Sequence, residues 1–202
     1  MGKTGTVVSS GAWRMGPPGV GERPLDPVRR FLNTLHKEEG IDRLADAADA
    51  EAWLAEQGYG DVRLPARRLA QYRSVRELIR VLLLGDPSAI DVLDRLLPRL
   101  TSAAPGLVVT ADGHVAAGLR LAVVSEDVVP LQQILVALWR GAGSGELERL
   151  KVCADERCRL AFYDRSRNRS RAWCTSGECG NRNRVARHRA RRSVGEPASG
   201  PA

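Results

Sequence analysis

Aromatic residues are scarce in this 202-residue chain, at 4% of the total. Hydrophobic residues still make up 43%, so a core can form, but Leu, Val and Ala must fill most of it. No apolar run approaches the roughly twenty residues that a membrane-spanning helix needs, and no membrane partner is expected. The opening residues, MGKTGTVVSSGAWRMGPPGVGERP, contain no apolar h-region, so a cytoplasmic location is the expectation. There is no Gly-rich phosphate loop after a predicted strand and no base paired with a nucleophile, so an enzyme is not expected.

Cysteine is also sparse, and its placement is the sharpest signal in the chain. The four cysteines, Cys153, Cys158, Cys174 and Cys179, read Cys-x4-Cys, fifteen residues, Cys-x4-Cys. Two close pairs separated by such a loop suit one tetrahedral Zn²⁺. Two disulfides would need an oxidising compartment. Iron–sulfur clusters use other spacings, and a redox dithiol wants Cys-x-x-Cys on a thioredoxin-like unit. Structural zinc, one ion, is therefore the expected cofactor. Four thiolates close its coordination shell and leave no position at which water could be activated.

Charge is divided unevenly. The chain carries +7 overall, yet Arg149 to Arg192 holds fourteen Arg and Lys against four acids, a net +10 that leaves −3 for the remainder. A positive field confined to a metal-held segment suggests a polyanion-binding module on a weakly acidic body.

The run FYDRSRNRSRAWC followed by CGNRNRVARHRARR resembles the CGNR zinc finger, whose name matches Cys179, Gly180, Asn181 and Arg182 here. VRRFLNTL near Val28 and WLAEQG from Trp53 extend a weaker resemblance to the ABATE domain that usually precedes this finger. The resemblance implies a bacterial stress-induced transcription regulator, with the four cysteines as zinc ligands. Thr175, Ser176 and Asn183 depart slightly from the pattern without touching those ligands.

Periodicity predicts a mainly α fold with one small β-hairpin. Residues 1–24 read as a disordered leader, 25–145 as an ABATE-like helical domain, 146–193 as the zinc finger ending in a basic helix, and 194–202 as a disordered tail. Val28, Phe31, Leu32 and Leu35 share one helical face, with Asp26 as cap and Pro27 in the first turn. Asn33 on this segment reads as a buried amide tying a loop to the helix. After a loop at 42–48, Ala52, Trp53 and Leu54 point inward from a short helix that Gly58 stops. Pro65 opens a longer helix with Leu69, Tyr72, Val75, Leu78, Ile79, Leu82 and Leu83 in one stripe. Arg67, Arg68, Arg73, Arg76 and Arg80 then read as its solvated face. A helix from Pro87 to Leu97 carries Ile90 and Leu93. A hairpin around Asp112-Gly113 leaves His114 exposed. The helix from Val128 to Trp139 buries Leu131, Ile134, Leu135 and Leu138, and a short helical connection leads into Cys153.

Within the finger, Phe162, Tyr163 and Trp173 are expected to form a miniature core, with base stacking as the alternative for Tyr163 and Trp173. Arg165, Arg167, Arg169 and Arg171 alternate with small polar residues, so an extended loop would present them in one row to phosphates. Asp164 is expected to hold an arginine or cap a turn. Asn181 is the expected N-cap of a final helix carrying Arg182, Arg184, Arg187 and Arg189, with His188 as a helper. DNA is the expected partner; RNA or a ribosomal site, and a docking protein, are the alternatives. The N-terminal domain is expected to dimerise or to sense a signal. On this reading, Cys174→Ser unfolds the finger and leaves the helical domain largely intact.

Overall fold

The computed structural model describes residues 23–100, 102–109, 115–122 and 125–195. Most of the expected leader and tail, the Asp112-Gly113 turn and His114 lie outside them. Helix α1 (Asp26–Leu32) buries Val28, Phe31 and Leu32 completely, as their spacing requires. Asp26 does not cap this helix: its carboxylate accepts from the Arg23 N–H at 2.9 Å and from Arg29 Nε–H at 2.8 Å. The helix ends before Leu35, which belongs to strand β1 (Leu35–His36), paired antiparallel with β2 (Ile41–Asp42).

Helix α2 (Ala47–Glu56) starts earlier than its apolar residues suggested, because Asp46 accepts from the Asp49 N–H at 2.9 Å and caps it. Ala50, Trp53 and Leu54 face the core, whereas Ala52 is exposed. Gly58 takes a φ of +87°, which only glycine adopts freely, and the helix stops there. In α3 (Ala66–Leu83) the predicted stripe is present: Leu69, Tyr72, Val75 and Ile79 are buried, and Leu78, Leu82 and Leu83 pack half-buried beside them.

The other face of α3 corrects the expectation of a solvated arginine row. Arg68, Arg76 and Arg80 are only 7%, 3% and 5% exposed. Each is buried because it reaches a tertiary acceptor. Arg68 pairs with Asp127 at 2.8 Å. Arg76 forks both oxygens of Asp42 at 2.6 and 3.0 Å and reaches the Thr34 hydroxyl at 3.1 Å. Arg80 donates to the Leu32 carbonyl at 2.7 Å, which satisfies a carbonyl at the end of α1, and also to the Arg159 carbonyl.

Helix α4 (Ser88–Leu100) buries Leu93 but leaves Ile90 47% exposed, against the expected inward stripe. Strands β3 (Ser102–Val109) and β4 (Val115–Ala122) form the predicted hairpin, in register from Ser102↔Ala122 to Val109↔Val115. Helix α5 (Val129–Gly143) buries Leu131, Ile134, Leu135 and Leu138 as predicted. At Gly141 an added Cβ would come within 2.5 Å of the buried Leu25 side chain, so only glycine lets α5 approach the start of α1 this closely.

The connection into the cysteines is a single 3-10 turn (Glu146–Arg149) and then β5 (Leu150–Val152), which pairs antiparallel with β6 (Ala161–Tyr163). Leu150 and Ala161 belong to the same buried cluster as Phe31, Tyr72, Ile79 and Leu131. One hydrophobic core thus runs from the helical body into the cysteine-bearing segment. Among the described residues, no helix is long and apolar enough to cross a membrane.

Candidate metal centre

Cys153 directly follows β5 and Cys158 lies shortly before β6, so the first pair sits on the turn of this hairpin. The Cys153 N–H donates to the Leu160 carbonyl at 2.8 Å, and the Cys158 and Arg159 N–H groups share the Asp155 carbonyl at 3.0 Å. Arg159 closes the turn at a φ of +54°. The second pair is built differently. Cys174 precedes a wide helical turn (Ser176–Gly180) that contains Cys179 and leads into α6 (Asn181–Gly195). Gly180 packs against Trp173, whose ring carbon lies 3.4 Å from where a Cβ would stand. Gly177, by contrast, has open space around it.

The four sulfurs lie within 4.8 Å of one another, with Cys158–Cys174 and Cys174–Cys179 both at 3.6 Å. A zinc–sulfur bond of about 2.3 Å places the corners of a regular tetrahedron about 3.8 Å apart, so the sulfurs stand where one ion needs them. All four cysteines are free thiols, and their separations are far beyond a disulfide bond of about 2.05 Å. The site is a single structural zinc centre, and four thiolates fill its shell.

Burial pushes the Cys158 thiol well up, with the neighbouring thiols adding to it, and pushes Cys179 up to about 12. At Cys153 burial is outweighed by backbone N–H donors from Cys174 and Asp155, so its thiol is lowered. The Cys153 thiolate is thus prepared by the backbone, while Cys158 and Cys179 need a cation to compensate their charge. Leu160 and Trp173 pack against the sulfurs and limit water. Phe162 and Tyr163 are not in that cluster, which corrects the expected three-ring core. Instead, the Arg171 guanidinium stands 5.3 Å from the Phe162 ring, and that of Arg23 covers Tyr163 at 4.0 Å.

The arginine row predicted from Arg165 to Arg171 does not form. Asp164, fully buried, gathers Lys151 Nζ at 2.8 Å, the Ser166 N–H at 2.9 Å and its hydroxyl at 2.6 Å, and the Arg171 N–H at 2.9 Å. Burial alone would raise its carboxyl, but these donors hold it far below the usual carboxylate range. The loop therefore curls around a carboxylate, with Arg169 at a φ of +50°. Arg171 turns inward to the Cys174 carbonyl at 2.7 Å, and Arg169 pairs with Glu148. Arg165 and Arg167 remain exposed.

Arg182 is likewise a correction to the predicted nucleic-acid set. It bonds Asp155 at 2.6 Å, Glu38 at 2.7 Å and the Cys179 sulfur at 3.3 Å. The hydrogen bonds to Glu38 and Asp155 raise its pKa. Asn181 is helical and does not serve as N-cap. Asn183 takes the more active role, donating to Asp155 at 3.1 Å and to the Cys179 carbonyl at 2.9 Å. Arg184, Arg187 and Arg189 stay exposed, as does every residue from Arg184 to Arg191. Arg184, Val185, His188 and Arg189 line an open cleft.

Sequence reasoning missed Asp155, Glu38 and Lys151 as supports of the centre. Asp155 alone had a local signal, a carboxylate between two ligands in a cationic segment. Asn33 was expected to tie a loop to α1. It is half-buried and ties strand β6 to α1, not a loop, across a distance no spacing reveals: its amide donates to the Ala161 carbonyl at 3.0 Å and accepts the Ala161 N–H at 2.7 Å.

Comparison with known families agrees with this geometry. The CGNR zinc finger model matches residues 149–192, and the ABATE model, described as "Putative stress-induced transcription regulator", matches residues 25–141. No match was found among curated proteins. With more than half of its length matched and its cysteines gathered at one metal site, the chain belongs to the ABATE family and ends in a CGNR zinc finger.

Proposed function

We propose that the finger binds duplex DNA and that the chain acts as a cytoplasmic, nucleoid-associated transcription regulator. The observation that carries this reading is α6: every residue from Arg184 to Arg191 is exposed, and among the described residues none of Arg184, Arg187, Arg189 and Arg191 is paired with a carboxylate. A helix so poor in apolar surface stabilises itself little by packing, and its crowded guanidiniums are best relieved by a polyanion. A rigid, metal-anchored helix of this charge can enter a major groove, with arginines on phosphates and some reaching base edges. The contact set is Arg165, Arg167, Arg184, Arg187 and Arg189; Arg169, Arg171 and Arg182 are engaged within the protein. The body supplies dimerisation or signal sensing. The filled metal shell supports a binding role and not a catalytic one.

Fluorescence anisotropy with labelled duplex DNA across a salt series tests this. Replacing Arg184, Arg187 and Arg189 with Ala is expected to weaken binding and to flatten the log–log salt slope by up to about 3, at about 0.9 per lost phosphate contact. An unchanged slope would move the contact surface elsewhere. Tighter binding of duplex RNA in competition would favour the RNA alternative, which uses the same arginines.

A further inference from the structure

Four thiolates around a divalent zinc leave the centre with two surplus negative charges. In a site this buried, such charge needs donors or a cation close by. Backbone N–H groups serve Cys153 and Cys158. The charged side chain that serves Cys179 is Arg182, at 3.3 Å from its sulfur. A long guanidinium side chain has several rotatable bonds and stays over a sulfur only if something fixes it. Asp155, 6% exposed and itself held between the two halves of the finger, fixes Nε at 2.6 Å. Both terminal nitrogens are fixed by Glu38, at 2.7 and 3.3 Å.

Glu38 belongs to the helical body, 144 residues from Arg182 along the chain. Its location is set from both sides. It lies in the turn between β1 and β2, closed by the Gly40 N–H on the Lys37 carbonyl at 3.3 Å with Gly40 at a φ of +69°. At the base of that hairpin, Asp42 is locked by Arg76. Its neighbour Lys37 reaches the Glu156 carbonyl at 3.1 Å, inside the first cysteine turn. The hairpin therefore contacts the metal-binding segment through two adjacent side chains.

We propose that Glu38 is a positioning residue for the zinc centre, holding Arg182 against the Cys179 thiolate so that the finger's grip on its metal depends on the helical body. Linkage is reciprocal: whatever displaces the β1–β2 hairpin loosens the metal, and metal loss frees the hairpin. The inference concerns metal retention and stands whether or not the finger binds DNA.

The test is zinc affinity of the purified full chain, read by competition with a chromophoric chelator. Glu38→Gln is expected to weaken zinc binding about 10-fold, the lower end of the loss that follows removal of an outer support, and to speed metal release. Glu38→Asp, which keeps the charge, is expected to recover part of it. Because Glu38 is to act through Arg182, the double variant Glu38→Gln/Arg182→Gln should bind zinc no more weakly than Arg182→Gln alone. Glu56→Gln, which breaks the exposed Arg43–Glu56 pair within the body, should leave zinc affinity unchanged. Wild-type affinity in Glu38→Gln would overturn the proposal. So would losses that simply multiply in the double variant, or an equal loss in Glu56→Gln.

Discussion

Arg76 shows at the scale of one residue how this body is held. Its side chain is 4% exposed, that of Asp42 26%, and the two form a forked pair that joins α3 to the β1–β2 hairpin. Removing one partner of such a pair leaves the other in a poor dielectric, so Arg76→Ala is expected to cost about 3 kcal/mol of unfolding free energy. Arg43→Ala, which breaks an exposed pair with Glu56, should cost under about 1 kcal/mol. Urea denaturation of both variants checks the contrast. The pair also sets a pH dependence. Burial tends to raise the Asp42 carboxyl, but Arg76 and the Leu44 N–H outweigh it, so the folded value lies below 3.8. A depressed carboxylate contributes stability above its unfolded pKa and loses it as pH falls through the folded one. The stability gap between wild type and Asp42→Asn should therefore be full near pH 7 and shrink below about pH 4. Metal loss on acidification affects both proteins and cancels in that difference. A gap that widened in acid would contradict the assignment. None of this was legible in the sequence. Arg76 and Asp42 are 34 positions apart, and helical periodicity says only that Arg76 flanks the apolar stripe.

Elements were easier to read where one face decides. The stripes of α1, α3 and α5 follow from apolar period, the hairpin at β3–β4 from a change of period and the Asp-Gly turn signal, and the cysteine spacing marked the ligands. The loop after β6 resisted because alternation of Arg with Ser and Asn is compatible with an extended chain, whereas the buried Asp164 carboxylate rolls that loop around itself. Glycines at the end of α5 read alike in sequence yet do different things. Gly141→Ala would press a methyl into Leu25 at 2.5 Å, with all three nearest atoms belonging to that fully buried side chain. The expected cost is about 1–3 kcal/mol, typical of an overpacked core. Gly143 has open space around it, and Gly143→Ala should be neutral or stabilising by up to about 1 kcal/mol through the unfolded chain. Thermal melts that ranked the two variants in the opposite order would mean that α5 and α1 are not packed as described.

Across the whole molecule, the finger and the body form one structure, and this changes what metal removal should do. Spacing and composition suggested a finger that could unfold alone, with Cys174→Ser sparing the helical domain. The core argues otherwise: Leu150 and Ala161 of the cysteine-bearing hairpin are buried with Phe31, Tyr72 and Leu131. Asn33 grips both backbone groups of Ala161, and Arg80 holds the Arg159 carbonyl beside Cys158. Unfolding the finger would strip apolar cover from the body and leave the buried Arg80 without one of its acceptors, a costly orphan. Zinc bound only by the folded state therefore stabilises both parts. At a free concentration one hundred times its Kd it contributes about 2.7 kcal/mol, which for a chain of this size raises the melting temperature by roughly 5–10 °C. Helical circular dichroism of the full chain should then show a single transition that moves down by this amount on chelation, and further in Cys174→Ser. A body transition that held its temperature while the metal left would separate the two modules, and the contacts at Ala161 and Arg159 would then carry no measurable coupling.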